Sequence, residues 1–176
     1  MNDRQFEEQI DRICRNDKDG LRMIYEDYSP LIYSVAAGIL NRREDAEDVT
    51  SEFFIRLWNI AHTYKKGRGH KAWMITIAHN MTIDYQRKHS REQAVEEIAE
   101  SGSAGWEYKE NQLVTRISLE QALKTLEQEE REIVNLKIMG ELTFREIAAI
   151  VGKPLGTVTW RYRTAIGKLK RCGYDR

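Results

Sequence analysis

The chain is short of cysteine, proline and long apolar runs, and each shortage removes a class of protein. With 2 Pro and 11 Gly in 176 residues, collagen-like and low-complexity architectures are excluded. Cys14 and Cys172 lie near opposite ends and form no CxxC pair, so neither a disulfide framework nor a zinc site is expected. The longest nearly apolar run, Leu31 to Leu40, contains Ser34 and is about half of what a bilayer span requires, so no membrane insertion is expected. The opening MNDRQFEEQI has neither a basic n-region nor an apolar h-region, which predicts a cytoplasmic chain. No GxxxxGK[ST] phosphate loop occurs, and His62, His70, His79 and His89 do not stand at ligand spacings with other donors. No catalytic group, cofactor or metal is therefore expected, and the chain does not read as an enzyme.

What the sequence does have is charge. Charged residues make up 32%, with 28 basic against 28 acidic, and the zero sum conceals segregation along the chain. Residues 1–61 carry a net −5, 62–91 carry +6, 92–132 carry −7 and 143–176 carry +6. Two basic segments thus alternate with two acidic ones, a pattern that suits a polyanion gripped at two places. Charge alone leaves equal room for ordinary solvated faces.

Helical spacing recurs throughout and no alternating strand pattern persists, so the expected fold is all-α. A first stretch runs from Leu21 to Leu40, with Ser29-Pro30 suggesting a kink or break. Asn41, with Glu44 three residues on, suggests the N-cap of a second helix carrying the stripe Ala46, Val49, Phe53, Leu57, Ile60. The segment YKKGRGHK, residues 64–71, reads as a basic loop, followed by a helix over 72–88 with Trp73, Ile77, Met81 and Tyr85 on one face. These boundaries predict two small helical domains, 1–91 and 113–176, joined by a flexible acidic linker, 92–112. A short docked helix over Glu92 to Glu100 is the alternative within the linker.

The end of the chain carries the most specific local signals. Thr143 and Glu146 form a capping box, Ile147, Ala148 and Val151 an apolar face, Gly152 a helix stop, and Pro154 the start of the next helix. That next helix is basic and places Val158, Tyr162, Ala165 and Leu169 on one side. Two short helices about a glycine turn, the second basic, predict a DNA-binding helix-turn-helix.

Three segments, DAEDVTSEFFIRLWN, KAWMITIAHNMTIDYQRK and ELTFREIAAIVGKPLGTVTWRYRTAIGKLKR, together resemble the bacterial extracytoplasmic-function (ECF) sigma factors of the sigma-70 family, in order and at the family's spacing. The resemblance covers nearly the whole chain and assigns the first two segments to region 2 and the third to region 4. It implies a subunit that joins core RNA polymerase, through the β′ coiled coil and the β flap, and directs promoter recognition, melting and initiation. An anti-sigma factor is a further implied partner.

Residue by residue, the resemblance maps polymerase binding to Asp45, Asp48, Glu52, Phe54, Arg56 and Trp58, with Ser51 where the family commonly has Gln. Phe54 and Trp58 fall off the apolar stripe beside acidic residues, an exposed aromatic-and-charge mixture typical of interfaces, although Trp58 also fits the domain core. For the minus-ten element, Lys65, Lys66, Arg68 and Lys71 offer phosphate contacts, while His79, Asn80, Asp84, Arg87 and Lys88 line a possible strand path. For the minus thirty-five element, Thr157, Thr159, Trp160, Arg161 and Arg163 are the candidates for the groove, with Lys153, Lys168, Lys170 and Arg171 on phosphates. Arg161 is the expected base reader, because a guanidinium recognises guanine in bidentate fashion. The competing function, a stand-alone helix-turn-helix regulator, explains residues 143–171 and leaves the basic loop and acidic helix without a task.

Overall fold

The computed structural model describes residues 1–67, 69–96, 123 and 125–171, with residues 90–96 described by backbone alone. Among them all regular structure is helical, as the spacing predicts: α1 (Asp3–Cys14), α2 (Lys18–Ile39), α3 (Arg43–Ile60), a 3-10 turn (Ala61–Thr63), α4 (His70–Glu96), α5 (Gln128–Ile138), α6 (Phe144–Val151) and α7 (Leu155–Arg171). The chain divides into two compact units, Met1–Glu92 and Gln93–Arg176. No described helix is long and apolar enough to cross a membrane. Arg68 and the expected linker beyond residue 96 lie outside the described residues.

The helix α1 is absent from the elements read off the sequence. Its start is a reciprocal cap: Gln5 N–H donates to the Asn2 side chain and Asn2 N–H to the Gln5 side chain, both at 2.9 Å. Phe6, Ile10 and Ile13, at steps of four and three, are buried against α2. The two helices approach so closely at Gly20 that a Cβ there would lie 2.6 Å from the Gln9 carbonyl oxygen and 2.9 Å from the Arg12 Cβ.

α2 runs unbroken through Pro30, where the sequence suggests a kink or break. Proline removes one backbone donor and leaves the carbonyl four residues back without its partner. Pro30 and Glu26 are both exposed, so water is at hand for that carbonyl and the helix continues. The cap of α3 also differs from expectation. Arg42, not Asn41, holds the extended cap position and makes no side-chain cap bond. Glu44 and Asp45 in the first turn and the Arg43–Glu47 pair at 2.6 Å stabilise the start through the helix dipole and the i,i+4 spacing.

The buried side of α4 is Met74, Ile75, Ala78, Met81 and Thr82, a stripe rotated from the expected Trp73, Ile77, Met81, Tyr85. Thr82 belongs to the core because its hydroxyl donates to the Ala78 carbonyl at 2.7 Å, which satisfies the polar atom inside the helix. Trp73, Ile77 and Tyr85 form the margin of the buried face. Tyr85 lies there with its hydroxyl donating to Asp45 of α3 at 2.9 Å, and burial followed by that bond pushes its pKa up to about 12.

In the second unit, Leu126, Val134, Ala165 and Leu169 form a core with Leu123, Tyr162 and Ile166 packed against it. The Thr143 and Glu146 capping box closes as expected, with Glu146 N–H donating to the Thr143 hydroxyl at 3.3 Å and Thr143 N–H to the Glu146 carboxylate at 2.7 Å. Gly152 ends α6 at φ +65°, a left-handed conformation that glycine adopts without steric cost. Val158 and Ala165 of α7 are fully buried. Thr143 to Arg171 is therefore a helix-turn-helix.

Filling the α1–α2 contact should be costly. Gly20→Ala is expected to destabilise the first unit by about 1 to 3 kcal/mol, measured as a lower urea midpoint at unchanged slope; an unchanged midpoint would show that α1 can shift without penalty.

Candidate nucleic-acid interface

The basic loop between the 3-10 turn and α4 is anchored at both ends by aromatic packing. Tyr64 is buried with its ring 5.3 Å from Phe6 and 5.0 Å from Trp73, so Trp73 faces partly into the core. His70 is buried at the other end, stacked on Phe6 at 4.7 Å, with Nδ1 on the Asp3 carboxylate and Nε2 on the Tyr28 hydroxyl. The hydrogen bond from His70 holds the Asp3 carboxyl below its ordinary range, while burial pushes Tyr28 up to about 12. His70 is thus a structural fastener. Among the described residues no cluster of three or more His, Cys, Asp or Glu is placed to hold a metal ion.

Between these anchors Lys65 and Lys66 are exposed, and Lys66 pairs with Asp11 of α1 at 2.7 Å. That hydrogen bond raises the Lys66 pKa. Lys71 is half-buried. Along α4, Asn80, Asp84, Arg87 and Lys88 are all exposed, with Asn80, Asp84 and Arg87 sharing one face. His79 does not join them. It is 8% exposed and belongs to the core side, beside Ala78 and Thr82, which corrects its place on the strand path.

On α3, Asp48, Glu52 and Arg56 are exposed at steps of four. Asp45 is half-buried under Tyr85, and Trp58 is half-buried. Phe54 is a correction: at 5% exposed it packs edge-on against Phe53 at 5.1 Å and Tyr25 at 4.8 Å, because α2 covers that side of α3. The apolar member of the exposed face is instead Ile55, 67% exposed and three residues after Glu52. Its position seven residues after Asp48 is the sequence signal for it. Tyr25 and Met23 of α2 are further exposed apolar side chains.

In the second unit three of the expected DNA cations, Lys153, Arg161 and Lys168, have internal partners. The acidic start of α5 supplies them: Lys153 pairs with Glu129 at 2.8 Å, Lys168 with the buried Glu130 at 2.7 Å, and Arg161 with Glu129 at 2.9 Å and Glu127 at 3.8 Å. Arg161, the expected base reader, is only 24% exposed and serves as the counter-ion of this acidic cluster. Thr157 and Thr159 are half-buried, and the Thr159 hydroxyl donates back to the Leu155 carbonyl at 2.9 Å. The exposed side of α7 is Leu155, Trp160, Arg163, Lys170 and Arg171, with Trp160 at 63%.

Two helical units, one holding a helix-turn-helix and both showing exposed cations on polar helix faces, define a DNA-binding protein of transcription. The Sigma-70 region 2 family model matches residues 24–92 and the Sigma-70, region 4 model residues 122–171, together more than half of the chain. The ECF RNA polymerase sigma factor SigK of Mycobacterium ulcerans is 26% identical over 175 residues, 92% of this chain and 89% of that protein. BldN of Streptomyces coelicolor, also an ECF sigma factor, is 28% identical over 89% of this chain and 61% of its own length. Among solved structures, the sigma factor RpoE of Bartonella quintana, in complex with the anti-sigma factor NepR, shares the fold with a TM-score of 0.75, at 23% identity over 90% of this chain and 99% of that one. The chain belongs to the sigma-70 family and is an RNA polymerase sigma factor of the ECF type, which sets aside the stand-alone regulator.

The acidic cluster on α5 has a pH consequence. The hydrogen bond from Lys153, then the charge of Arg161, hold the Glu129 carboxyl below its ordinary 4.5, so its stabilisation is present above that value and is lost as pH falls through the lowered one. Glu129→Gln should therefore weaken the helix-turn-helix at neutral pH and flatten its acid unfolding curve below pH 4.5, followed by circular dichroism. An acid limb identical to that of the parent would contradict the pairing.

Proposed function

We propose that the first unit joins core polymerase through the exposed face of α3 and opens the minus-ten element with the basic loop and α4, while the second unit reads the minus thirty-five element with α7. The observation that carries this reading is the division of exposed residues. Each sigma region keeps cations exposed, clear of its own core: Lys65, Arg87 and Lys88 in the first unit, Arg163 and Arg171 in the second.

On α3, Asp48, Glu52, Ile55 and Arg56 combine exposed charge with an exposed apolar side chain, the composition of a protein interface, and suit the β′ coiled coil. Ile138 and Met139, both about half exposed at the end of α5, offer an apolar patch for the β flap. Melting needs unpaired bases held out of the duplex, a cost of a few kcal/mol offset by cationic contacts to the displaced strand. Lys65 and Lys66 of the loop, with Asn80, Asp84 and Arg87 of the α4 helix that follows it, would serve that task.

On α7 the groove-facing pair is Trp160 and Arg163, three residues apart on the exposed side. Arg163 supplies the guanidinium fork for guanine, and Trp160 an apolar surface for a thymine methyl. The two domains proposed here are residues 1–91 and 113–176, joined by 92–112, of which 92–96 continue α4. The chain contributes no catalytic group of its own; phosphodiester chemistry stays with the polymerase in the cytosol. An anti-sigma factor that covers these surfaces is a proposed partner, as RpoE has in NepR.

Run-off transcription by core polymerase reconstituted with the chain tests the reading. Replacing Lys65 and Lys66 with Ala should reduce permanganate-reactive thymines at the start site more than it reduces polymerase binding; full opening would count against the loop. Arg163→Ala should cost about 1 to 3 kcal/mol of discrimination among minus thirty-five sequences, while a uniform loss on every sequence would demote it to a phosphate contact.

A further inference from the structure

The acidic residues of α1 are arranged on the basic loop in a regular way. Asp3, Glu7 and Asp11 fall at steps of four, on one face of the helix, and each contacts the same short segment. Asp3 accepts the His70 backbone N–H at 3.3 Å and contacts its ring. The Glu7 carboxylate accepts the Gly67 N–H at 2.9 Å, and the Asp11 carboxylate accepts from the Lys66 ammonium at 2.7 Å.

These three contacts are not equivalent. His70 is buried and meets Asp3 through both its ring and its backbone N–H, so the Asp3 contact anchors the end of the loop. The Lys66–Asp11 pair is open to water, at 55% and 46% exposed, and an ion pair in that setting contributes little to stability. It is cheap to exchange. Gly67 is exposed at φ +75° with open space where a Cβ would stand, so the chain can come close to another backbone there. An ammonium and a backbone N–H on consecutive residues are a donor set that a phosphodiester takes. Two carboxylates occupy those donors with matching charge and acceptor geometry.

We propose that Glu7 and Asp11 are built-in surrogates for phosphate: they hold the donors of Lys66 and Gly67 until the backbone of a separated DNA strand displaces them, and so set the threshold at which the loop captures that strand. The inference rests on the reading of the loop as a DNA contact. It assigns a task to α1, which lies wholly outside the matched region 2 segment beginning at residue 24. Asp3 keeps the end of the loop in place while Glu7 and Asp11 exchange, so the loop is arranged in advance and its donors are released one at a time.

The test is anisotropy of a fluorescein-labelled oligothymidine single strand titrated with the full chain at low salt, because these phosphate contacts need no particular base. Asp11→Asn should tighten binding about twofold to fivefold, the exchange cost of one surface pair. The gain should vanish in a Lys66→Ala background. Glu8→Gln, the same change of charge on an exposed residue of the same helix that makes none of these contacts, should give less. Unchanged or weaker binding by Asp11→Asn, a gain that survives without Lys66, or a gain matched by Glu8→Gln would overturn the proposal. If Lys66→Ala alone leaves binding unchanged, the loop reading itself fails and the surrogate role falls with it; a weakening by Lys66→Ala with no gain from Asp11→Asn sinks the surrogate role alone.

Discussion

A carboxylate set beside a cluster of cations stabilises the fold that crowds them together and, by the same contact, withholds them from any other anion. Both units are built around that double effect. In the first, α1 presents Asp3, Glu7 and Asp11 to the loop that carries Lys66 and His70. In the second, the start of α5 presents Glu127, Glu129 and Glu130 to Lys153, Arg161 and Lys168 of the helix-turn-helix. These pairings join residues of an acidic block of the sequence to residues of the basic block that follows it in the same unit. Each basic segment is paired in part with acidic residues of its own unit.

This division separates cations that build the recognition element from cations that use it. Lys168 is fixed by Glu130, a buried carboxylate that also accepts the Glu127 N–H at 3.0 Å and so caps α5. Removing one member of such a group leaves a desolvated charge, so these residues carry stability. Arg163 and Arg171 face outward from the same helix. In the proposed reading a polyanion meets these two first, and its affinity follows the number of phosphates it brings to exposed cations rather than the formal charge of the segment.

How much of this could be read in the sequence depended on whether the signal was local. The second unit was legible because its caps and turn are written in adjacent residues: Thr143 with Glu146, Gly152 at its left-handed position, Val158, Ala165 and Leu169 on one side. The first helix was not, although Asn2, Gln5, Phe6, Ile10 and Ile13 carry its cap and stripe, because seven charged residues between Asp3 and Arg15 dominate the segment. On α4 the buried Thr82, satisfied by its own helix, shifts the core face away from the line through Trp73 and Tyr85. Arg161, Phe54 and His79 show the limit most clearly. Their side-chain chemistry suited an exposed position, and what turned them inward is tertiary: Glu127 and Glu129 beside Arg161, Tyr25 beside Phe54, and for His79 the face of α4 that packs into the core.

The most direct measurement of this division of cations is the salt dependence of promoter binding by polymerase carrying the chain, since the slope of log affinity against log salt counts phosphates neutralised. The account predicts that Arg171→Ala lowers the slope by about one, whereas Lys153→Ala and Lys168→Ala leave it unchanged while lowering the thermal stability of the helix-turn-helix. Equal reductions of the slope by all three would contradict it.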